Sequence, residues 1–133
     1  MGFADADEVE RYLGGIFEEA LRDEELGPKL RATGISLKTV YRNPDVTLLI
    51  DLGNGVVLRA DESTEAGAEM RMTADTGNAY WQGKVNLPLS MAKGKVTVSG
   101  NIAALLKLAP LSKRLIPAYI ERLAADGRAD LLV

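Results

Sequence analysis

The chain has 133 residues and a formal net charge of −3 at pH 7, a length suited to a single domain over residues 1–133 with its own hydrophobic core. It contains neither cysteine nor histidine, which excludes disulfides, thiolate nucleophiles, Cys/His metal sites and the commonest general base. We therefore expect no metal and no cofactor, and the acidic balance without a basic-aromatic cluster argues against nucleic acid as a partner.

The first third of the chain predicts two helical segments. Apolar residues recur at helical spacing from Val9 to Leu21 behind Asp7, which predicts an amphipathic helix with Asp7 as its N-cap. The pair Gly14-Gly15 is expected to weaken this helix. A second, shorter helical piece is predicted over residues 23–33 and ends at Gly34.

From residue 35 onward the apolar period changes to two, which predicts strands over residues 35–42, 46–52 and 56–61. Gly53-Asn54-Gly55 predicts a hairpin between the second and third strands. A phosphate loop is disfavoured there, because a strand and not a helix follows. Two more strands are predicted over 68–73 and 95–99, and the alternation places one apolar set on a single sheet face: Val46, Leu48, Ile50, Val56, Leu58, Met70, Met72, Val96 and Val98.

Helices must cover that apolar face. The sequence predicts helices over residues 75–82 and 87–91, and a third over 102–108 that Asn101 caps and Pro110 breaks. A last helix runs to Ala125, and Pro117 must kink or restart it.

The later helices carry more apolar residues than one sheet face can absorb. Ten of them occupy most of the helical circumference, whereas a sheet face accepts one stripe: Ile102, Leu105, Leu106, Leu108, Leu111, Leu115, Ile116, Tyr119, Ile120 and Leu123. An ordinary filled core and an internal cavity both fit this pattern. The low aromatic content, 5%, and the adaptable side chains of Met70, Met72 and Met91 favour a cavity.

Charge is unevenly distributed along the chain. Residues 76–120 contain no acid and six bases: Lys84, Lys93, Lys95, Lys107, Lys113 and Arg114. These bases form either a solvated face or a weakly basic surface for transient contact with an anionic membrane or an anionic ligand head group. The sequence has no apolar run long enough to span a bilayer and no signal-peptide pattern, so the expected location is cytoplasmic.

The stretch MTADTGNAYWQGKVNLPLSMAKGKVTVSGNIAALLKL, residues 72–108, resembles the signature region of the sterol carrier protein-2 family. The resemblance lies in the order and spacing of Gly83-Lys84, Met91-Ala92, Gly94-Lys95 with Gly100, and Leu106-Lys107-Leu108, and a weaker match covers most of the chain. It is similar to bacterial single-domain members, because it lacks the peroxisomal C-terminal signal and has a longer acidic N-terminal helix. Sterol is therefore not assumed to be the ligand.

The resemblance implies an α+β fold: a five-stranded, mixed, mostly antiparallel sheet that is covered on one face by helices and encloses an apolar tunnel. It further implies a protein without catalytic residues that binds and transfers a fatty acid, fatty acyl-CoA, sterol or similar apolar molecule. The residues expected to contact this ligand are Met70, Met72, Trp81, Leu89, Met91, Ile102, Leu105, Leu106, Ile116, Tyr119 and Ile120.

Two other functions are compatible with the sequence. The exposed leucines could dock this domain onto a larger enzyme to present an apolar substrate, although the expected state is a monomer or weak dimer. A carboxylate-only isomerase or cyclase would use a buried glutamate, with the pairs Glu18-Glu19 and Glu24-Glu25 as candidates. A hydrolase is disfavoured, because no histidine is present to activate Ser90 or Ser99.

Overall fold

The structure is a computed structural model, and it describes residues 2–133. Its five strands form one sheet in the order β3-β2-β1-β4-β5. The strands are β1 Ser36–Arg42, β2 Val46–Asp51, β3 Val56–Ala60, β4 Ala68–Thr73 and β5 Thr97–Gly100. Only β1 and β4 pair in parallel, and the other neighbours are antiparallel. The α+β class and the mixed, mostly antiparallel sheet are confirmed.

The helices occupy one face of this sheet. They are α1 Ala6–Val9, α2 Gly15–Arg22, α3 Leu26–Thr33, α4 Ala74–Tyr80, α5 Leu87–Ala92, α6 Ile102–Lys113 and α7 Ile116–Ala125. A π-helical turn, Glu10–Gly14, joins α1 to α2 without a break, and a short 3-10 turn spans Ala129–Leu131. Of the described residues, no helix combines the length and apolar character needed to cross a bilayer.

The opening helix begins earlier than the sequence predicts. Its N-cap is Asp5, whose carboxylate accepts a hydrogen bond from the Glu8 backbone N–H at 3.0 Å, so the prediction of Asp7 as the cap is wrong. Asp7 lies inside the first turn, where its carboxylate pairs with Arg59 at 2.9 Å. Acidic residues in this turn are favourable because the helix N-terminus carries partial positive charge.

The Gly14-Gly15 pair, which is expected to weaken this helix, lies where the helix packs against the sheet. A Cβ at Gly14 would lie 3.3 Å from Leu48 Cδ1 and 3.4 Å from Val57 Cγ1, so the absence of a side chain lets the helix pack tightly. Leu13, Ile16, Leu48 and Ile50 are all fully buried at this contact. The β2–β3 half of the sheet is therefore solidly filled.

β3 lies in a different register from the one that the sequence predicts. Val56 and Leu58, expected on the apolar face, are 39% and 50% exposed on the opposite face, whereas Val57 pairs with Ile50 and packs against the core. A shift of one residue exchanges the two faces of a strand. This shift removes Val56 and Leu58 from the interior.

The predicted break at Pro110 is also wrong, because α6 continues to Lys113. A proline removes one backbone donor, and here the loss falls near the end of the helix. Leu108 is buried and Leu111 packs against the core on either side of it. The chain turns at Leu115 instead. Helix α7 then begins at Ile116, with Pro117 in its first turn, where a proline is well tolerated.

The sheet face that the helices leave uncovered carries ion pairs and hydrogen bonds between charged side chains and the loop before β4. Lys38 Nζ lies 2.9 Å from Glu69 Oε1 and donates to the Glu62 carbonyl at 2.7 Å. Hydrogen bonds from Lys38 and then Arg71 hold the pKa of the Glu69 carboxyl below its ordinary value. These pairs keep the face polar where the loop between β3 and β4 crosses it.

Candidate functional site

An apolar cavity of about 90 Å³ lies between the β1–β4–β5 half of the sheet and the helices α4, α5 and α6. Its floor is the inner sheet face: Leu37, Thr39, Tyr41, Met70, Met72 and Val98. Its roof comes from α5 and α6: Leu87, Met91, Ile102, Leu105, Leu106, Leu108, Ala109 and Ser112. The sheet therefore has one solid half and one half with a cavity.

The strand register explains the floor. In β1, Leu37, Thr39 and Tyr41 alternate onto the inner face. Thr39 is paired with Met70 of β4, which in turn is paired with Val98 of β5. Three strands thus present side chains to the cavity side by side.

Aromatic rings form the side wall of the cavity. Trp81, which follows α4, packs edge-to-face against Phe17 with ring centroids 5.4 Å apart and against Tyr80 at 5.3 Å. The ring of Tyr119 is tilted against the indole, with the ring centroids 6.4 Å apart. Such packed aromatic pairs are favourable beyond their buried area, so this wall is firmly held.

A polar network fixes the wall from behind. Asn78 Oδ1 accepts hydrogen bonds from the Tyr119 hydroxyl at 2.7 Å and from Gln82 Nε2 at 3.0 Å. The amides of Asn78 and Gln82 both donate to the Leu131 carbonyl, at 2.8 and 2.9 Å. Burial raises the pKa of the Tyr119 phenol, so its hydroxyl stays protonated and continues to donate.

The roof, in contrast, is loosely packed. Helix α5 buries none of its residues, and α6 buries only Ala104 and Leu108. Met91, Ile102 and Leu106 line the cavity yet are 38%, 44% and 67% exposed. Side chains that touch both the cavity and the solvent mark its mouth.

The structure brings seven of the predicted ligand-contact residues together around this cavity: Met70, Met72, Trp81, Met91, Ile102, Leu105 and Leu106. The other four lie outside its lining. Leu89 is exposed on α5, Ile120 is exposed on α7, and Ile116 lies beside Gly83. Tyr119 is buried behind Trp81.

Several lining residues were not anticipated from the sequence, above all Thr39, Tyr41 and Phe17. The strand pattern could have identified Thr39 and Tyr41, because Leu37, Thr39 and Tyr41 alternate in β1 and so share one face of the sheet. Phe17 lies on the predicted opening helix, but the pattern alone does not say that this helix reaches the second half of the sheet.

Basic residues lie on the two roof helices and on the segments that follow them. Arg114 pairs with Glu25 at 3.4 Å. Lys93, Lys95, Lys107 and Lys113 form no ion pair with any of the residues 2–133 that the structure describes. All four are exposed, so they leave a positive potential beside the roof.

Chemically active groups are sparse in the described part of the chain. Residues 2–133 contain no cluster of acidic side chains that could hold a metal ion. Glu18, Glu19, Glu24 and Glu25 are all exposed, so none has the burial that a carboxylate-only isomerase or cyclase would require of its glutamate.

The fold is one mixed sheet with a solid half and a second half that holds an apolar cavity under a loosely packed roof. This arrangement defines a class of α+β domain whose candidate site is internal. The chain belongs to the SCP-2 sterol transfer family, whose model matches residues 16–113. No curated protein matches the sequence significantly.

Solved structures with the same fold include three sterol carrier proteins. The sterol carrier protein domain 2 of Helicoverpa armigera has a TM-score of 0.68 at 20% identity, over 88% of this chain and 95% of that one. Apo sterol carrier protein 2 of Yarrowia lipolytica has a TM-score of 0.60 at 16% identity, over 74% and 85%. Sterol carrier protein-2 of Aedes aegypti, in complex with palmitate, has a TM-score of 0.57 at 23% identity, over 80% and 92%.

Proposed function

We propose that this chain binds a lipid or a similarly apolar small molecule in the cavity beneath α5 and α6 and transfers it without chemical change. The observation that carries the proposal is the cavity itself, whose lining is almost entirely apolar and whose roof is loosely packed. Membership of the SCP-2 sterol transfer family and the palmitate in the Aedes aegypti relative support it.

Ligand entry requires the roof to move outward. The cavity of about 90 Å³ is smaller than the roughly 150 Å³ that holds benzene in an engineered apolar cavity. Because α5 and α6 bury few side chains, local opening of this region costs little free energy. The methionines of the floor and roof can then repack around an incoming chain.

Apolar burial alone supplies useful affinity. About ten methylenes at roughly 0.8 kcal/mol each contribute about 8 kcal/mol before the cost of ordering. That sum permits micromolar binding. Binding of this kind depends on shape and apolar area, so the choice among hydrocarbon chains is expected to be broad.

The same roof can face a membrane surface. Leu89, Met91, Ile102 and Leu106 are exposed on α5 and α6, and the exposed Lys93 and Lys107 follow Met91 and Leu106 closely in the chain. Exposed apolar side chains on helices that also carry exposed lysines suit an anionic bilayer, which attracts nearby bases with about 1 kcal/mol each. Docking there would bring the mouth of the cavity to the lipid.

The binding proposal is tested with the single tryptophan of the chain as reporter. Since Trp81 lines the cavity, titration with a long-chain fatty acid is expected to shift its fluorescence saturably. Bound ligand should also raise the melting temperature in proportion to the logarithm of its concentration. Fatty acids, long-chain alcohols and isoprenoids that all leave both signals unchanged would exclude this function.

The membrane contact is tested by reversing two charges of the roof. The double variant Lys93→Glu with Lys107→Glu is expected to bind phosphatidylserine vesicles at least about tenfold more weakly in co-sedimentation. The interaction of the unmodified protein should also weaken with added salt.

A matched double variant, Arg11→Glu with Arg42→Glu, makes the same change in net charge at exposed positions outside the cavity lining. It should retain vesicle binding. If both double variants lose binding equally, net charge and not the roof surface governs the contact, and the membrane proposal fails.

A further inference from the structure

The cavity floor contains one polar atom that the fold leaves without a partner. Thr39 is 3% exposed, and its Oγ1 makes no hydrogen bond with any of the described residues 2–133. The side chain lies in β1 at the centre of the floor and lines the cavity. Buried hydroxyls are normally paired, because an unpaired one loses its hydrogen bonds to water.

A phenol lies beside it on the same strand face. Tyr41 is two residues further along β1 and also lines the cavity, as does Tyr80. Burial raises the pKa of Tyr41 to about 12, and the neighbouring Thr39 hydroxyl, which does not reach hydrogen-bond geometry with any described group, opposes part of this rise. The phenol is therefore neutral at physiological pH and can donate or accept a hydrogen bond.

The lining includes no charged side chain. An ionised carboxylate or phosphate at the depth of Thr39 would thus be buried without a counter-charge, which is strongly unfavourable. Such a head group would remain at the mouth, where water can solvate it. A pure hydrocarbon would leave the Thr39 hydroxyl without a partner.

We propose that the preferred ligand is an apolar molecule with one uncharged hydroxyl or carbonyl group, and that this group hydrogen-bonds to Thr39 on the cavity floor. The proposal rests on the function proposed above and specifies its ligand class. Thr39 then selects among ligands that the apolar walls would otherwise bind alike.

The test compares octan-1-ol with nonane, which has the same number of non-hydrogen atoms, with Trp81 fluorescence as the readout. Thr39→Val keeps the shape of the side chain and removes the hydroxyl. It is expected to weaken octan-1-ol binding about fivefold, the effect of one hydrogen bond, and to leave nonane binding unchanged or tighter.

Two variants serve as controls. Thr39→Ser keeps the hydroxyl and should retain the preference for the alcohol. Thr47→Val makes the same substitution at a buried position on the other sheet face and should change neither affinity.

The outcomes separate the two proposals. Equal changes for both ligands in Thr39→Val, or none for octan-1-ol, would overturn the role of Thr39 while nonane binding still supports an apolar carrier. If the unmodified protein binds a long-chain fatty acid but neither of these ligands, the proposed ligand class fails and the proposed function stands. If it binds none of the three, both fail.

Discussion

Replacing Leu105 by tryptophan is expected to abolish binding of a fluorescent fatty-acid analogue while the protein remains folded. Leu105 projects from α6 into the cavity and packs against the core at its edge. An indole at this position would occupy most of the roughly 90 Å³ that the cavity offers. We expect a loss of at least about a hundredfold, since the apolar contacts supply nearly all the affinity.

The stability of this variant should change little. Overpacking a tight core costs about 1–3 kcal/mol, and the loosely packed roof can absorb part of the added volume. The matched control is Ala103→Trp, which adds an indole to the exposed side of the same helix and should bind as the unmodified protein does. Retention of affinity in Leu105→Trp would show that the ligand does not occupy this cavity.

Asn78→Leu is expected to destabilise the fold by about 3 kcal/mol, measured as the free energy of unfolding in urea. The substitution removes the amide that joins Tyr119, Gln82 and the Leu131 carbonyl. Several buried polar groups then lose a partner at once, and each unpaired group costs about 1–3 kcal/mol.

Tyr119→Phe provides the graded comparison. It removes one hydroxyl, and Asn78 Oδ1 still accepts from Gln82, so we expect a loss of only about 1 kcal/mol. Because Trp81 lies between Asn78 and Gln82 in the chain, its fluorescence should also change in Asn78→Leu. Equal losses of stability in the two variants would contradict the cooperative network.

The strand pattern predicted much of the floor of the candidate site. Met70, Met72 and Val98 alternate strictly with polar residues, so their shared face could be predicted from local sequence. Capping by Asn101 was likewise a local signal, and the structure confirms it with a hydrogen bond from the Ala104 N–H at 3.1 Å. The resemblance over residues 72–108 supplied the topology, which no local pattern contains.

Other features depend on tertiary packing. The run Val56-Val57-Leu58 has no alternation, so only its pairing with β2 decides which residue faces inward. On the roof, helical spacing identifies an apolar surface, but it does not distinguish cavity from solvent for residues such as Leu89 and Ile120. Nor could a pattern of hydrophobicity show that Thr39 would be buried without a partner.

The division of the sheet into a filled half and a half with a cavity has a consequence for how the sequence can vary. The filled half is built mostly from the N-terminal 60 residues, whereas the roof and half of the floor residues follow later in the chain. Substitutions in α5 and α6 therefore alter side chains that bury little surface and contribute little to stability. Descendants of this chain could acquire new ligand preferences through these two helices while the N-terminal half preserves the fold.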